Sequence, residues 1–457
     1  MCGVFGVATV SKCDTPFLPA AYTYTGLYML QHRGQEAAGE AAWDNGTIRT
    51  EKRCGLVTTG LTKDIIQSLP GTVAIGHVRY STTGESVLLN AHPHYRTDRR
   101  KVAVVHNGNL PKSAELRKEL EAEGVEFEST SDTEIIAAMI SRSTAPTIEE
   151  AVIETCMSIE GSYALLVLAE GKLIGVRDPF GIRPLYLGRS RNERGEEFYL
   201  LTSETCAFGF LRAETTREIA PGEMLVIDGR NRFHYQLPVE AKRKLCIFEF
   251  IYFSRPDSVM MGQWVCEVRH RLGQNLARQC KPVNLDKVIP VPESGNHAAV
   301  GFAEASGVPF GYGFAKNRYL GRTFIAPDGW DDLVRHKYAA LEPMVAGKRL
   351  AEVEDSIVRA NTTGGTVAML KDAGALRVEV EVVAPPVKYP CFYGIAMSTR
   401  GELIAADKTI EEVRDYIGAD QLNYLSQEST IEATRCPKDQ FCMACFDGDY
   451  PIPVPSE

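Results

Sequence analysis

The spacing of apolar positions changes partway along the chain. In the first half, short apolar runs alternate with turn residues, and residues 162–188 predict a strand, a turn and a second strand. After a polar stretch at residues 229–244, the spacing predicts a helix at 263–277, a short strand at 287–291 and a second helix at 297–305. Alternation of strands and helices is typical of a parallel α/β sheet. The pattern therefore predicts a β-rich first half and an α/β second half, joined at the polar stretch.

One junction in the second half combines carboxylates with hydroxyl groups. Residues 349–353 are apolar enough for a strand, Glu354 and Asp355 follow it, and a helix is predicted from Thr366 to Ala373. Backbone N–H groups ahead of a helix can bind phosphate, and the two carboxylates can hold ribose hydroxyls or a metal-bound pyrophosphate. This favours a site for a phosphorylated sugar. The alternative is an ordinary strand-to-helix turn with an acidic N-cap.

Length and composition narrow the class of protein. A chain of 457 residues is too long for one core and suggests two domains of roughly 200 residues each. No apolar run reaches about 18 residues and no basic segment precedes an apolar one at the start, so we expect a cytoplasmic protein without a membrane span. A net charge of −9 with interspersed signs argues against nucleic acid as a partner. The twelve cysteines are interpreted as reduced thiols rather than a disulfide framework.

A cysteine follows the initiator methionine directly. If Met1 is removed, Cys2 carries a thiol and a free α-amine, whose pKa values lie near about 8.5 and about 8. The amine can then take the thiol proton and leave a thiolate nucleophile on the same residue. The alternative is an incidental cysteine at the start of a strand.

Four polar segments accompany Cys2, and in order and spacing they resemble the motifs of class II glutamine amidotransferases. They are LQHRGQEAAGE at residues 30–40, AIGHVRYSTTG at 74–84, VVHNGNL at 104–110 and STSDTE at 129–134. The resemblance implies an α+β N-terminal-nucleophile (Ntn) hydrolase fold, an αββα sandwich of two antiparallel sheets between helices, with Cys2 as the nucleophile.

These segments also contain the groups needed to bind and open glutamine. The planar guanidinium of Arg79 suits an α-carboxylate, and Asp132 suits an α-ammonium. Asn107 and Gly108 can supply a side-chain amide and a backbone N–H to an oxyanion. Thr82 completes the predicted glutamine-binding set.

The junction after residue 353 resembles the phosphoribosyl-pyrophosphate (PRPP) loop of type I phosphoribosyltransferases. EDSIVRANT is similar to the version found in amidophosphoribosyltransferases, and VIPVPESGNHAAVGF and AKNRYLGRTFI resemble that family's pyrophosphate loop and the approach to its flexible loop. The resemblance implies an α/β transferase domain with a mainly parallel sheet. It implies a PRPP site at Ser294, Gly295, Lys316, Arg322, Ser356, Ala360, Asn361 and Thr362, and a Mg²⁺ site at Ser294, Glu354 and Asp355.

Four cysteines resemble the ligands of the iron–sulfur-containing branch of the same family. They are Cys246, Cys391, Cys442 and Cys445, and four thiolates are what a [4Fe–4S] cluster requires. Zinc and buried unligated thiols are the alternatives. A cluster would attach the C-terminal tail to the transferase domain. The implied division is a glutaminase domain at residues 2–235, a transferase domain at 245–430 and a cysteine-bearing tail at 431–457.

The resemblance implies an activity: glutamine-derived ammonia displaces pyrophosphate from PRPP and gives 5-phosphoribosylamine, the first committed step of purine synthesis. It also implies purine nucleotide effectors and a homotetramer. Two alternatives stay open from the sequence. One is a paralogue that delivers ammonia to another electrophile, and the other is a silent regulatory subunit of the same fold.

The second half departs from the family pattern at several positions. Glu354 stands where the family usually has Asp, and Ala360 replaces a loop glycine, which would cost about 1 kcal/mol if its φ is positive. Glu352 lies in a predicted buried strand, where an unpaired charge would cost several kcal/mol, so we expect a charged partner or an edge position. The flexible-loop region, residues 326–344, has gained Asp328, Asp331 and Asp332.

Overall fold

The first half of the chain is built mainly of strands. The computed structural model describes residues 2–10, 14–80, 87–317 and 330–454, and for residues 330–333 it describes the backbone only. The strands of this half are β1 Gly3–Thr9, β2 Ala37–Asp44, β3 Thr47–Cys54, β4 Val73–Arg79, β5 His94–Arg96, β6 Val102–Asn109, β7 Ser162–Ala169, β8 Lys172–Arg177, β9 Tyr186–Arg191, β10 Glu197–Thr202, β11 Glu214–Glu218, β12 Glu223–Asp228 and β13 Asn231–Gln236. Its helices are α1 Leu18–Met29, α2 Val57–Gly60, α3 Lys63–Gln67, α4 Ser113–Ala122, α5 Asp132–Arg142, α6 Ile148–Ser158 and α7 Cys206–Phe210.

These strands form two antiparallel sheets that pack face to face. Among the described residues, one sheet has seven strands in the order β11-β9-β10-β1-β4-β2-β3, and the other has six in the order β13-β12-β8-β7-β6-β5. Val4 and Ile75 of the first sheet share a buried core with Val105 and Leu166 of the second. Helix α1 packs on β1 and β4, and α5 packs on β6. The predicted αββα sandwich is confirmed.

The second half alternates strands and helices. Its strands are β14 Leu245–Cys246, β15 Val259–Met260, β16 Gln263–Trp264, β17 Lys287–Pro290, β18 Phe314–Lys316, β19 Tyr338–Ala340, β20 Arg349–Glu354, β21 Arg377–Val382, β22 Gln421–Tyr424 and β23 Phe441–Cys442. Its helices are α8 Val265–Cys280, α9 Asn296–Ser306, α10 Trp330–Lys337, α11 Glu342–Val345, α12 Asn361–Asp372, α13 Ile404–Asp407, α14 Ile410–Ile417, α15 Gln427–Thr434 and α16 Ala444–Asp447. In the described parts of the chain, no helix combines the length and the apolar character needed to cross a membrane.

A parallel sheet is the centre of this half. Strands β17, β20, β21 and β22 lie side by side in that order, and every neighbouring pair is parallel. Helices α8 and α9 cross closely at two glycines, because a Cβ added at Gly273 would lie 1.8 Å from the Ala298 carbonyl oxygen and one at Gly301 would lie 1.9 Å from that of His270. The predicted α/β fold with a mainly parallel sheet is confirmed.

The helix after the PRPP-like loop begins earlier than its apolar pattern predicts. Helix α12 begins at Asn361 rather than at Thr366. The added first turn contains Thr362, Thr363 and Gly364, residue types with low helix propensity, which is why the periodicity did not predict it. Ala360 precedes the helix with φ +65°, and this left-handed turn aims the helix N-terminus at the loop. The helix therefore begins about one turn closer to the loop that follows β20 than the sequence predicts.

The expectation for Glu352 is wrong. This residue lies in β20, a central strand with β17 on one side and β21 on the other, and it is fully buried. Within the described residues neither carboxyl oxygen has a hydrogen-bond partner, so the side chain has neither an edge position nor a charged partner. Burial raises the pKa of Glu352 to about 8, against a smaller opposing effect of Thr366. The penalty of a buried charge is avoided because the carboxyl is kept protonated.

Replacing Glu352 with leucine is expected to stabilise the protein more at pH 8 than at pH 5. Burial raises the folded-state pKa of Glu352 to about 8. Below its unfolded-state pKa the carboxyl is protonated in both states and does not change the stability. As pH rises from there to about 8, the unfolded chain ionises more readily than the folded one, so the fold is progressively destabilised. That difference amounts to on the order of 3–5 kcal/mol, so the gain in apparent Tm at pH 8 should exceed the gain at pH 5 by several degrees. Thermal unfolding at both pH values measures it. Glu352→Gln, which also cannot ionise, should remove the same pH dependence, and equal gains at both pH values would contradict the assignment.

Candidate functional site

The thiol of Cys2 lies at the start of β1, next to the end of β4. In the register of these strands Gly3 opposes Val78, which brings Cys2 beside Arg79. The Cys2 Sγ donates a hydrogen bond of 3.5 Å to the carbonyl oxygen of Tyr80. Burial raises the pKa of the Cys2 thiol, while the positive charge of Arg79 acts in the opposite direction. The thiol is therefore sheltered and lies near a buried cation that can bind a substrate carboxylate.

Arg79 and Asp132 are two of the predicted glutamine-binding residues. Arg79 is buried, with Nη1 3.9 Å from a carboxylate oxygen of Glu36. Asp132 begins α5, and its Oδ2 accepts a hydrogen bond of 3.0 Å from the Leu110 N–H. Burial acts to raise the pKa of Asp132, but His106 and the hydrogen bonds outweigh it and hold the pKa below its usual value. Asp132 thus stays a carboxylate able to meet an ammonium group. Thr82 lies outside the described residues.

Asn107 and Gly108 end strand β6 on the facing sheet. Asn107 is 1 % exposed, and its Nδ2 has no hydrogen-bond partner among the described residues. A buried amide donor without a partner is costly, and a bound oxyanion would satisfy it. At Gly108 a Cβ would lie 1.9 Å from the carbonyl oxygen of Ser162, so only glycine fits. The geometry suits both residues to the predicted oxyanion role.

A cluster of buried histidines behind these residues was not predicted from the sequence. The rings of His77 and His92 stack with centroids 4.0 Å apart, and the centroid of His94 is 4.9 Å from that of His92. His77 Nε2 lies 3.0 Å from the carbonyl oxygen of His106, which connects β4 to β6. Burial lowers the pKa of both His77 and His92 well below the usual value, so the stack is neutral. Alternating histidines at 92 and 94 are the only signal in the sequence that could have pointed to it.

Five of the eight predicted PRPP residues line a cavity in the second half. Its volume is about 1080 Å³, part of it open to solvent. Among its lining residues are Ser294, Glu354, Asp355, Ser356, Ala360, Asn361 and Thr362. Tyr80 of the first half also lines it, and the Tyr80 carbonyl accepts the Cys2 thiol hydrogen bond. The cavity therefore reaches from the neighbourhood of Cys2 to the acidic loop.

The loop around the cavity has the geometry of a phosphate site. β20 ends at Glu354, and the backbone then turns through Ala360, with φ +65°, into the N-terminus of α12 at Asn361. The first N–H groups of a helix have no partner within the helix and favour an anion. The N-cap residue of this helix, Ala360, has no polar side-chain atom that could cap it. The positive φ considered for Ala360 is therefore real, and its methyl group lines the cavity where a glycine would leave more room.

Two adjacent carboxyl groups, Glu354 and Asp355, give the cavity its acidic wall. The Ser356 hydroxyl donates a hydrogen bond of 2.6 Å to Asp355 Oδ1. Burial, then the charges of Asp355 and Glu352, raise the pKa of Glu354 well above its usual value, while Lys337 acts in the opposite direction. A divalent cation would relieve the repulsion between the carboxylates, so the residues present fit Mg²⁺.

The remaining predicted PRPP residues stand apart from this wall. Gly295 caps α9, and a Cβ there would lie 2.5 Å from the Val353 carbonyl oxygen, so the pyrophosphate loop lies directly against β20. Lys316 Nζ is 3.6 Å from a carboxylate oxygen of Glu293 in the same loop. Arg322 and Asp328 lie outside the described residues, as do the side chains of Asp331 and Asp332.

Two residues where α10 ends and β19 begins were not among the predicted site residues. Lys337 and Tyr338 both line the cavity. The Tyr338 hydroxyl donates a hydrogen bond of 2.8 Å to the carbonyl oxygen of Pro292, which ties the end of the flexible-loop region to the pyrophosphate loop. In the sequence, only the basic character of Lys337 within the 326–344 region could have indicated a role for it. No sequence feature pointed to Tyr338.

The four predicted cluster cysteines surround a second cavity. This small space is lined by Cys246, Cys391, Cys442 and Cys445 together with Arg183 and Tyr393. Strands β14 and β23 pair in parallel with Cys246 opposite Cys442. Burial raises the pKa of Cys246 to about 11. Across the described ranges no three His, Cys, Asp or Glu side chains meet closely enough to hold a single metal ion. Four thiols facing one space fit a larger group such as a cluster.

Comparisons with known proteins agree with this geometry. The family described as glutamine amidotransferase domain matches residues 77–208. Proteins named amidophosphoribosyltransferase from Synechococcus elongatus and Methanothermobacter thermautotrophicus are 42% and 41% identical over 100% of this chain, which covers 92% and 95% of theirs.

Two solved structures match along the whole chain. One, described as the allosteric regulatory enzyme of purine biosynthesis, has a TM-score of 0.91 at 39% identity, covering 100% of this chain and 97% of its own. The other, the glutamine PRPP amidotransferase from B. subtilis complexed with ADP and GMP, has a TM-score of 0.89 at 39% identity, covering 100% and 98%.

Proposed function

The chain belongs to the amidophosphoribosyltransferase family, and from this premise we propose that it hydrolyses glutamine at Cys2 and uses the ammonia to convert PRPP into 5-phosphoribosylamine, the first step of purine biosynthesis. The observation that carries the proposal is the cavity that reaches from Tyr80, the hydrogen-bond partner of Cys2, to the loop at Glu354. Neither a paralogue with another acceptor nor a silent subunit is favoured, because both ends of this cavity keep their chemistry.

Glutamine hydrolysis requires five groups of the first half of the chain. Arg79 binds the α-carboxylate and Asp132 the α-ammonium, which places the side-chain amide at Cys2 Sγ. The sulfur attacks the amide carbon, and the developing oxyanion receives hydrogen bonds from Asn107 Nδ2 and the Gly108 N–H. The α-amine of Cys2, once Met1 is removed, takes the thiol proton and passes it to the amide nitrogen, which leaves as ammonia. A glutamyl thioester remains on Cys2, and water hydrolyses it to glutamate. Thr82 is part of the proposed set on resemblance alone.

Ammonia must reach the second site without protonation. Phe248, Phe253, Val291 and Ile357 are among the residues that line the cavity, and such apolar walls keep water away from the nucleophile. At the loop, Ser356, Ala360, Asn361 and Thr362 would hold the phosphate at the α12 N-terminus, and Ser294, Gly295, Lys316 and Arg322 the pyrophosphate. A magnesium ion held by Ser294, Glu354 and Asp355 would neutralise charge on the leaving pyrophosphate. Ammonia then displaces pyrophosphate from C1.

A coupled assay tests the proposal directly. The anaerobically purified chain, given glutamine, PRPP and Mg²⁺, should release glutamate and pyrophosphate in a ratio of about one to one, and ammonium ion should replace glutamine. If glutamine is hydrolysed to glutamate but neither glutamine nor ammonium ion leads to pyrophosphate release, the paralogue would be favoured. No product of either kind would favour the silent subunit.

The proposal extends to assembly and control. The B. subtilis relative was solved in complex with ADP and GMP, which suggests that purine nucleotides of this kind act as effectors of this chain too. We propose a cytoplasmic homotetramer, following the family resemblance, with the glutaminase, transferase and tail divided at 2–235, 245–430 and 431–457.

We further propose that Cys246, Cys391, Cys442 and Cys445 hold a [4Fe–4S] cluster. Protein purified without oxygen should contain about four iron and four sulfide per chain. Cys391→Ser should lose most of both, because one ligand is gone. Cys436→Ser, at a partly buried cysteine that does not line the cavity, is the matched control and should retain them. Stoichiometric zinc, or iron content unchanged in Cys391→Ser, would count against the cluster.

A further inference from the structure

Cys2 is attached to the transferase half through a buried arginine. Arg33 Nε donates a hydrogen bond of 2.8 Å to the Cys2 carbonyl oxygen. The same guanidinium donates from Nη2 to Glu249 Oε1 at 2.9 Å and from Nη1 to Glu249 Oε2 at 3.0 Å, and it also pairs with Glu204 of the first half. All three side chains are fully buried. Glu249 opens a π-helical turn, Glu249–Phe253, so the carbonyl of the nucleophilic residue is positioned by a group whose bidentate partner belongs to the second half.

A second arginine meets Glu249 from the side of the cluster cysteines. Arg183 Nη1 lies 3.6 Å from Glu249 Oε1, and Arg183 is also fully buried. Arg183 Nε donates a hydrogen bond of 2.9 Å to the carbonyl oxygen of Tyr393, and the Tyr393 N–H lies 3.4 Å from Cys391 Sγ. One carboxylate therefore connects the nucleophile to the cysteine cavity.

The loop that carries Cys391 is attached to the oxyanion strand as well. Asn109 Nδ2 donates a hydrogen bond of 2.9 Å to the Phe392 carbonyl oxygen, and the Ser162 hydroxyl donates one of 2.9 Å to the carbonyl of Tyr393. A Cβ at Gly394 would lie 3.0 Å from the Gly108 carbonyl oxygen. Residues 391–394 thus contact strand β6, which contains Asn107 and Gly108, so the proposed oxyanion groups and the cysteine cavity are packed against each other.

The connection between Cys2 and the cysteine cavity depends on the negative charge of Glu249. Two buried guanidinium groups converge on its carboxylate, and Ser254 donates a further hydrogen bond of 2.7 Å to Oε2. Removing a partner from a buried ion pair leaves the others as uncompensated charges, which then move to find new partners. Because one of them holds the Cys2 carbonyl, a shift of Arg33 moves the nucleophile. Displacements of about 1 Å at a reacting group can lower a rate by about a hundredfold.

We propose that Glu249 is a positioning residue for glutamine hydrolysis, because it fixes the position of Cys2 through Arg33. Through Arg183, the position of Cys2 also depends on the loop that contains Cys391. The inference rests on the proposed function. It assigns to the transferase half a direct part in glutamine hydrolysis, separate from its part in PRPP transfer.

The experiment compares Glu249→Gln with the parent protein in the full, anaerobically purified chain. Three quantities are measured: kcat and KM for glutamine hydrolysis, ammonia-dependent pyrophosphate release from PRPP, and the rate of Cys2 alkylation by iodoacetamide, located by mass spectrometry. We expect kcat for glutamine to fall at least about tenfold with KM within about threefold, because Arg79 and Asp132 are untouched. Cys2 alkylation should slow in parallel, and ammonia-dependent activity should stay within about twofold.

Glu223→Gln is the matched control. Glu223 is a buried carboxylate paired with Arg217, in the first half but without contact to Arg33 or Cys2, and its variant should leave all three quantities unchanged. A parallel fall of ammonia-dependent activity in Glu249→Gln, or an unchanged kcat, would overturn the proposal. If Glu249→Gln does not fold, Ser254→Ala, which removes one hydrogen bond to Glu249, should give a smaller fall in kcat alone, and no fall would overturn it.

The failure of the proposed function is recognised separately. In that case the parent protein itself forms no pyrophosphate from glutamine or ammonium ion. The inference about Glu249 fails only when the parent is active and the variant matches it in glutamine hydrolysis.

Discussion

Replacing Cys2 with alanine should abolish glutamine hydrolysis while ammonia-dependent formation of 5-phosphoribosylamine continues. Without the sulfur no thioester can form, and a loss of about 10⁴-fold or more in kcat for glutamine is expected. The proposed transferase site lies at the acidic loop of the cavity, where ammonia from solution can reach it. Its rate with ammonium ion and PRPP should therefore stay within about twofold of the parent. Parallel assays of glutamate and pyrophosphate measure the separation.

Cys54→Ala provides the control for this variant. Cys54 is an exposed cysteine in the same half, and its removal should affect neither activity. The assignment of the nucleophile would be wrong if Cys2→Ala kept measurable glutamine hydrolysis. Loss of both activities together would instead point to a folding defect, which circular dichroism would reveal.

Replacing Asp355 with asparagine should have the opposite selectivity. Asp355 follows the end of β20 at the wall of the cavity, and its Oδ1 is held by the Ser356 hydroxyl. The change removes one negative charge from the proposed magnesium site, so pyrophosphate release should fall about 10²- to 10³-fold whether glutamine or ammonium ion is supplied. Glutamine hydrolysis measured without PRPP should remain within about threefold, because Cys2, Arg79 and Asp132 are unaffected.

Asp372→Asn is the control, since Asp372 lies in the last turn of the same helix α12 and is 72% exposed in its side chain. Calorimetric titration with PRPP and Mg²⁺ should show weakened binding in Asp355→Asn alone. An unchanged rate of pyrophosphate release in Asp355→Asn would remove this residue from the site.

Much of the fold and of the first site could be predicted from the sequence. The change of apolar spacing near residues 229–244 separated the β-rich half from the α/β half, because periodicity reports directly on which face of an element is buried. Arg79, Asn107 and Asp132 were named because short polar motifs of fixed order carry their chemistry with them. In the structure, strand register places Arg79 beside Cys2, while Asn107 lies in β6 of the facing sheet and Asp132 begins α5.

Other features could not be predicted, since they depend on residues far apart in the chain. Glu352 was expected to have a charged partner or an edge, and is instead a buried, protonated carboxyl in a central strand. Helix α12 starts at Asn361, although the helix propensity of its first residues is low. Packing around the loop outweighs differences in helix propensity of about 1 kcal/mol or less per residue. The stack of His77 and His92 joins segments that no short motif connects.

The sequence by itself determined which chemical groups this protein possesses and the order in which they occur, since nucleophile, guanidinium, amide and acidic loop are properties of single residues and short motifs. Only the tertiary structure decided which of them share a space. The contact between Arg33 and Glu249 joins residues 216 positions apart, and the cavity between Tyr80 and Glu354 exists because two separately patterned halves pack together. Burial, and with it the protonation of Glu352 and the strength of the ion pairs at Glu249, follows from that packing because it removes water, which linear spacing does not encode.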